Sequence, residues 1–244
     1  MEGSYSGYSG IKNNNSSYNN YINKDNSLSI HEGVDISQND DVIEFKIVLI
    51  GSTSVGKTAI FNKFITGDFS STYKSTITVE FKTKFLRIDN NLYVKLILWD
   101  TCGSENFRAV TTQYYRGADA VILVFDLTEQ NSFNDIKNIW IKDAKNYAEK
   151  NIQILIVGNK LDLIEQRTVS QSQVINYCRE NGYKYIEASA KDGTNILKIF
   201  EELSFELASK YEKQREEQMN SQFLIENFEE KNIIVTKDKK FGCC

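Results

Sequence analysis

From Glu44 to Lys210 short apolar runs and segments of helical periodicity take turns along the chain. Glu44 to Ile50 (EFKIVLI) reads as a strand, and Lys57 to Thr66 repeats apolar positions at helical spacing until Gly67 ends it. Two longer strand candidates, Val79 to Ile88 and Leu92 to Trp99, are separated by Asp89-Asn90-Asn91, a composition that suits a hairpin. Nearly unbroken apolar runs recur at Ala120 to Asp126 (AVILVFD) and Ile152 to Gly158 (IQILIVG), each followed by helical periodicity, and a shorter run covers Lys184 to Ala188. Strands alternating with helices predict an α/β fold with a mostly parallel six-stranded sheet and helices on both faces. The hairpin supplies one antiparallel edge strand. A sheet of this kind binds ligands beyond the carboxyl ends of its strands, so residues just after each run are the candidates for chemistry.

The ends of the chain lack this pattern. The first forty residues hold eight Asn and eight Ser with few aliphatics, too little apolar surface to offset the entropy of ordering a chain. Residues 1–43 are therefore expected to be a disordered extension, 44–210 a single domain and 211–244 a variable linker, although the charged stretch YEKQREEQMNSQF could prolong the last helix. The only histidine, His31, falls in the extension, which excludes His-based catalysis and His-ligated zinc. A net charge of −4 without a Lys/Arg stripe gives no reason to expect nucleic acid. No signal peptide or apolar run of membrane-spanning length is present, so synthesis and folding in the cytosol are expected. Cys102 and Cys178 stand apart in sequence, which fits a reducing compartment rather than a disulfide or zinc framework.

Directly after the first strand, Gly51-Ser52-Thr53-Ser54-Val55-Gly56-Lys57-Thr58 reads GSTSVGKT, a complete G-x-x-x-x-G-K-[ST] loop. A strand that breaks into such a turn and then opens a helix aims successive backbone N–H groups inward, forming a nest for phosphate oxygens. Lys57 would reach the β- and γ-phosphates, and the Thr58 hydroxyl would ligate Mg²⁺. Asn159-Lys160-Leu161-Asp162 follows the Ile152 to Gly158 strand. A carboxylate at Asp162 accepts from the guanine N1–H and 2-amino groups, and left without those donors it stays desolvated and unpaired, which rejects adenine. Ser189-Ala190-Lys191 follows the next strand and offers a backbone N–H to guanine O6. Either short motif alone would also serve as an ordinary strand-to-helix turn. Three motifs in chain order, each behind a strand, leave that reading little room.

From Glu44 to about Ser209 the chain resembles a small GTPase of the Ras superfamily, and specifically a Rab. The resemblance also rests on STITVEF (Ser75 to Phe81), LWDTCG (Leu98 to Gly103), YYRGA (Tyr114 to Ala118) and a terminal Cys-Cys. It implies a P-loop GTPase domain that binds GTP or GDP with Mg²⁺. In that likeness Thr76 engages Mg²⁺ and the γ-phosphate, Asp100 holds Mg²⁺ through water, and the Gly103 N–H contacts the γ-phosphate. Phe69 matches the aromatic that stacks on guanine. Phe81, Trp99 and Tyr114 match an aromatic triad presented to effectors, although by composition they read as core.

Departures from the family pattern bear on hydrolysis. Ser104 stands where the family usually has the glutamine that orients attacking water, and its side chain is two heavy atoms shorter. Thr53 is β-branched where smaller side chains are favoured near the γ-phosphate, and it could crowd an incoming arginine. Thr78 and Asn106 replace a common Gly and a common Arg. Together with Lys57, Thr76 and Gly103, Ser104 forms the expected catalytic group, with intrinsically slow hydrolysis that depends on an activating protein.

Cys243-Cys244 resembles the double-cysteine signal for geranylgeranylation. Two lipid chains give stable attachment where one is marginal, and Lys231, Lys237, Lys239 and Lys240 against Asp238 add a modest pull toward anionic lipid. The sequence thus predicts a monomeric GTP/GDP-switched regulator of vesicle traffic, held on the cytoplasmic face of an endomembrane or the plasma membrane and extractable to the cytosol. Its expected partners are an exchange factor, an activating protein, a dissociation inhibitor or escort protein, and effectors. The rival is a membrane-anchored, GTP-binding scaffold in which Ser104 and Thr53 abolish turnover.

Overall fold

A computed structural model describes residues 41–72, 76, 79–89, 92–103 and 112–238, with the side chains of the last helix described as far as residue 222. Residues 1–40 with His31, together with Thr78, Ser104, Asn106, Cys243 and Cys244, lie outside the described residues.

Six strands form one sheet: β1 (Asp41–Ile50), β2 (Glu80–Asp89), β3 (Leu92–Asp100), β4 (Ala120–Asp126), β5 (Gln153–Asn159) and β6 (Lys184–Glu187). They lie in the order β2-β3-β1-β4-β5-β6. Only β2 runs antiparallel, to β3, as the hairpin composition predicts. The remaining pairs are parallel.

Burial on both faces explains why the strand sequences carry apolar runs rather than alternation. All seven residues of β4 are buried. Their side chains nonetheless divide with the period of two that a strand imposes. Ala120, Ile122 and Val124 join Ile47 and Leu49 in one core, while Val121, Leu123 and Phe125 join Val48 and Ile50 in the other.

Helix α1 (Lys57–Thr66) and α5 (Ile196–Asp238) cover the first face. Phe64 and Phe200 stack there with centroids 3.8 Å apart. The second face is covered by α2 (Gln130–Asp135), a π turn (Ile136–Trp140), α3 (Ile141–Tyr147) and α4 (Gln171–Asn181).

The structure and the periodicity part company in α5. The helix runs on through Asp238, into residues whose pattern suggested a linker, and Tyr211 through Gln222 are exposed nearly throughout. Its apolar contacts with the body end near Ala208, apart from an edge contact between Tyr211 and Phe45 with centroids 6.5 Å apart.

The topology fixes the position of the site. β1 is central, flanked by β3 and β4 in register, so Leu49 lies beside Asp100 and Ile50 beside Leu123. Asp126 at the end of β4 in turn lies beside Asn159 at the end of β5. The carboxyl ends of β1, β3, β4 and β5 share one rim, and those of β1, β3 and β5 carry a polar residue or turn that the sequence singled out.

Candidate functional site

The phosphate loop joins the end of β1 to α1. Gly51, Val55 and Lys57 are buried, while Thr53 and Ser54 are exposed on its outer side. Ser54 takes a left-handed conformation (φ 65°), unusual for a residue with a Cβ.

Lys57 is only 5% exposed. Its ammonium donates to the carbonyls of Gly51 (2.8 Å) and Ser52 (2.9 Å). Burial lowers its pKa to about 8, while the Asp100 charge works in the opposite direction. A desolvated cation held by neutral carbonyls gains more from a bound phosphate than an exposed lysine would.

Gly103 closes against this lysine, and a Cβ there would stand 2.3 Å from Lys57 Nζ and 2.6 Å from Ser52 O. Only a glycine lets the backbone pass so close to the loop.

Thr58, Thr76 and Asp100, the residues that the sequence proposes for Mg²⁺, lie together. Thr58 Oγ1 donates to Asp100 Oδ2 (2.6 Å) and lies 2.8 Å from Thr76 Oγ1. Asp100 is 1% exposed, and its Oδ1 is buried without a hydrogen-bond partner among the described residues. Burial pushes its pKa up to about 6, opposed by the Thr58 hydrogen bond and the Lys57 charge.

An orphaned carboxylate oxygen beside two hydroxyls is the donor set of a hard divalent cation that takes its remaining ligands from water and phosphate. Among the described residues no group of three or more His, Cys, Asp or Glu side chains gathers. The residues fit Mg²⁺ held jointly with a nucleotide rather than a protein-only metal cage.

The base-reading motifs meet at the same rim. Asn159 is 2% exposed, donates through Nδ2 to Val55 O (2.9 Å) and accepts at Oδ1 from Ala190 N (3.1 Å). One carboxamide thereby ties the phosphate loop to both turns. The O6 contact expected of this turn requires the Ala190 N–H to be shared if that group supplies it. Asp162 accepts from Ser189 Oγ (2.8 Å) at Oδ1, and Lys191 Nζ lies 3.5 Å from Oδ2. Lys160, left-handed at φ 68°, pairs with Asp126 at 2.5 Å.

Phe69 stands 39% exposed beyond α1. Phe81, Trp99 and Tyr114 form one aromatic strip on the hairpin side, with centroids 5.0 Å and 5.4 Å apart. Composition suggested core for these three; Phe81 is instead 57% exposed, while Trp99 and Tyr114 pack partly against the second core. Lys46 Nζ lies 5.3 Å from the centre of the Trp99 ring.

Several features escape a reading by motif. Ser52 Oγ donates to Asp135 Oδ2 (2.7 Å) and accepts from Trp140 Nε1 (3.1 Å), fastening the phosphate loop to α2 and the π turn. A cavity of about 460 Å³ lies on the outer side of the loop, lined by Ser52 to Val55, Gly103, Asp126, Glu129 and Asp135 among others. The Asp126–Lys160 pair and a fork between Arg167 and Glu187 are further ties. Nothing in local sequence marks them, because their partners lie on other elements.

The Ras family model matches residues 46–209. The chain is 42% identical over 166 residues to the Ras-related protein Rab-1 of Theileria parva, covering 68% of this chain and 75% of that one. Against the Ras-related protein Rab-13 of Canis lupus familiaris it is 40% identical over 166 residues, covering 68% and 81%. The Ras-related protein Rab11A of Lotus japonicus is 44% identical over 156 residues, covering 64% and 68%. The chain belongs to the Ras family, as a Rab-like small GTPase. That membership favours a guanine-nucleotide-binding GTPase of vesicle trafficking over the scaffold reading.

Proposed function

We propose that the protein is a GTP/GDP switch in which the loop from Gly51 to Thr58 holds the phosphates and Asn159, Lys160, Asp162 and Ser189 to Lys191 hold the base. The observation that carries this reading is Asn159, whose single carboxamide bonds both Val55 of the phosphate loop and Ala190 of the base turn. Phosphate and guanine subsites are thereby built as one unit. Lys57 neutralises the β- and γ-phosphates, and the Gly103 N–H donates to the γ-phosphate. Thr58 and Thr76 would ligate Mg²⁺ directly and Asp100 through water; once bound, the ion withdraws charge from the phosphate oxygens. Phe69 stacks on the guanine when its segment closes.

Loss of the γ-phosphate releases Thr76 and Gly103, and effectors read the difference on the strip of Phe81, Trp99 and Tyr114. Hydrolysis at the site of Lys57, Thr76, Gly103 and Ser104 is slow unaided and needs an activating protein, with an exchange factor to reload GTP. The domain of residues 44–210 acts as a monomer between the Asn-rich extension and a tail, residues 211–244, that ends in geranylgeranylated Cys243 and Cys244. A dissociation inhibitor or escort protein carries it between the cytosol and the cytoplasmic face of an endomembrane or the plasma membrane.

The guanine assignment is tested by Asp162→Asn. An amide in place of the carboxylate presents a donor that matches the 2-oxo group of xanthine, so binding should shift from GTP toward XTP by at least tenfold. An unchanged preference removes Asp162 from base recognition.

A further inference from the structure

Asp162 sits in a short 3-10 turn, Leu161–Gln166, and the next residue, Arg167, ends it. Arg167 donates Nη1 to Glu187 Oε1 (3.0 Å) and Nη2 to Glu187 Oε2 (2.5 Å), a bidentate fork that fixes orientation as well as distance. The Tyr185 hydroxyl donates to the same Oε1 at 2.7 Å. The Arg167 and Glu187 side chains are 17% and 10% exposed. A Cβ at Gly158 would stand 3.0 Å from the Tyr185 hydroxyl, so that glycine leaves room for the tyrosine to reach Glu187.

The position of this cluster gives it a task. Glu187 ends β6, two residues before Ser189, and its carbonyl accepts from Asn195 Nδ2 (2.7 Å). β6 is a four-residue edge strand that, among the described residues, pairs only with β5. A ladder that short leaves the direction of the following turn to side chains. The two base loops are also joined by Ala190 N–H to Asn159 Oδ1 (3.1 Å) and by Leu161 N–H to the Ala188 carbonyl (3.0 Å), both at the start of the turn. The tie nearest the base runs through Asp162 itself, by way of Ser189 and Lys191. A bound guanine competes for those same carboxylate oxygens. The Arg167 fork joins the same two segments and makes no use of the base-reading groups. Burial, the largest cause, and the bond to Glu187 raise the Tyr185 pKa above its ordinary range, so the hydroxyl stays protonated and donating. The Glu187 hydrogen bond likewise raises that of Arg167.

We propose that Arg167, Glu187 and Tyr185 are positioning residues for guanine selection, locking the turn that carries Asp162 to the strand that feeds Ser189 to Lys191. This rests on Asp162 being the base-reading carboxylate. Loosening the lock lets Asp162 drift from the 2-amino group and weakens selectivity for guanine over hypoxanthine, which lacks that group.

The test measures the affinities of the full chain for GDP and IDP, with a thermal melt on each variant. Wild type should prefer GDP by about tenfold or more, the value of a hydrogen bond to a charged acceptor. Arg167→Met should cut that preference at least twofold, Arg167→Lys should recover part of it, and Tyr185→Phe should lower it in the same direction. A variant set that melts earlier while the GDP/IDP ratio of Arg167→Met stays within twofold of wild type overturns the proposal, leaving a structural brace. If Arg167→Met does not fold, Tyr185→Phe decides, and an unchanged ratio there overturns it. Asp162→Asn separates the two ideas. If it leaves the ratio intact, the base assignment fails and this proposal with it; if it collapses the ratio while Arg167→Met does not, only the positioning role falls.

Discussion

Ser104 offers a hydroxyl that stops two heavy atoms short of where a glutamine carboxamide would meet the attacking water. The described residues of the site are otherwise equipped for phosphate chemistry: a buried Lys57 ammonium, the close Gly103 backbone, and an Asp100 carboxyl with one oxygen unpartnered among the described residues. On the proposed reading water orientation is the contribution Ser104 would not supply, and restoring it should show in the chemical step alone. Ser104→Gln is expected to raise the single-turnover rate of GTP hydrolysis on the order of tenfold, with GTP affinity unchanged. Equal rates would show that water positioning does not limit the reaction. Thr53 enters through its position: it is exposed and lines the cavity on the outer face of the loop, so it bears on what approaches from that side.

At the scale of elements, the phosphate loop is anchored from two directions. Asn159 holds Val55 from β5. Ser52 is held from the helical layer, by Asp135 of α2 and by Trp140, which the π turn delivers to the loop as a buried side chain only 2% exposed. Ser52→Ala removes both hydrogen bonds with little change of volume and leaves the buried Trp140 N–H unpaired, at a cost of about 1–3 kcal/mol. Part of that loss should fall on loop order, so GDP is expected to leave two- to tenfold faster in a stopped-flow exchange assay. A dissociation rate equal to wild type would mean the loop holds its shape without this tie. This contact also marks the limit of what sequence conveys. The loop, the strand runs and the hairpin are legible because their signals are local periods and fixed spacings. The Ser52 to Trp140 bond joins residues 88 positions apart, and Asn159 to Val55 spans 104; no local pattern encodes such pairings. Asn159 and Ser52 are legible nonetheless, because each lies inside a motif, whereas the partners Asp135 and Trp140 and the Arg167 fork follow no spacing rule.

For the molecule as a whole, the unexpected feature is the length of α5. Its 43 residues make a rod of about 64 Å, of which residues 211 to 222 are nearly all exposed. The apolar positions in its second half follow no clean helical face, and for that reason the sequence read as a linker. Helix-forming residues such as Glu, Lys, Gln and Arg crowd Glu212 to Gln218, and intrinsic propensity sustains a helix there without a partner surface. No helix of the described residues is long and apolar enough to cross a membrane. Stable membrane attachment, if lipid-borne, then needs more than one chain, because a single acyl or prenyl group binds only marginally and the lysines near the terminus add about 1 kcal/mol each at most. On the proposed reading Cys243 and Cys244 would supply two thiols for two chains. A graded response follows from that arithmetic. In cells expressing tagged protein, Cys243→Ser or Cys244→Ser alone should leave a weakly held, mixed population, and the double substitution should move the protein to the soluble fraction. Fractionation that finds the double variant still sedimenting with membranes would place the anchor elsewhere in the chain.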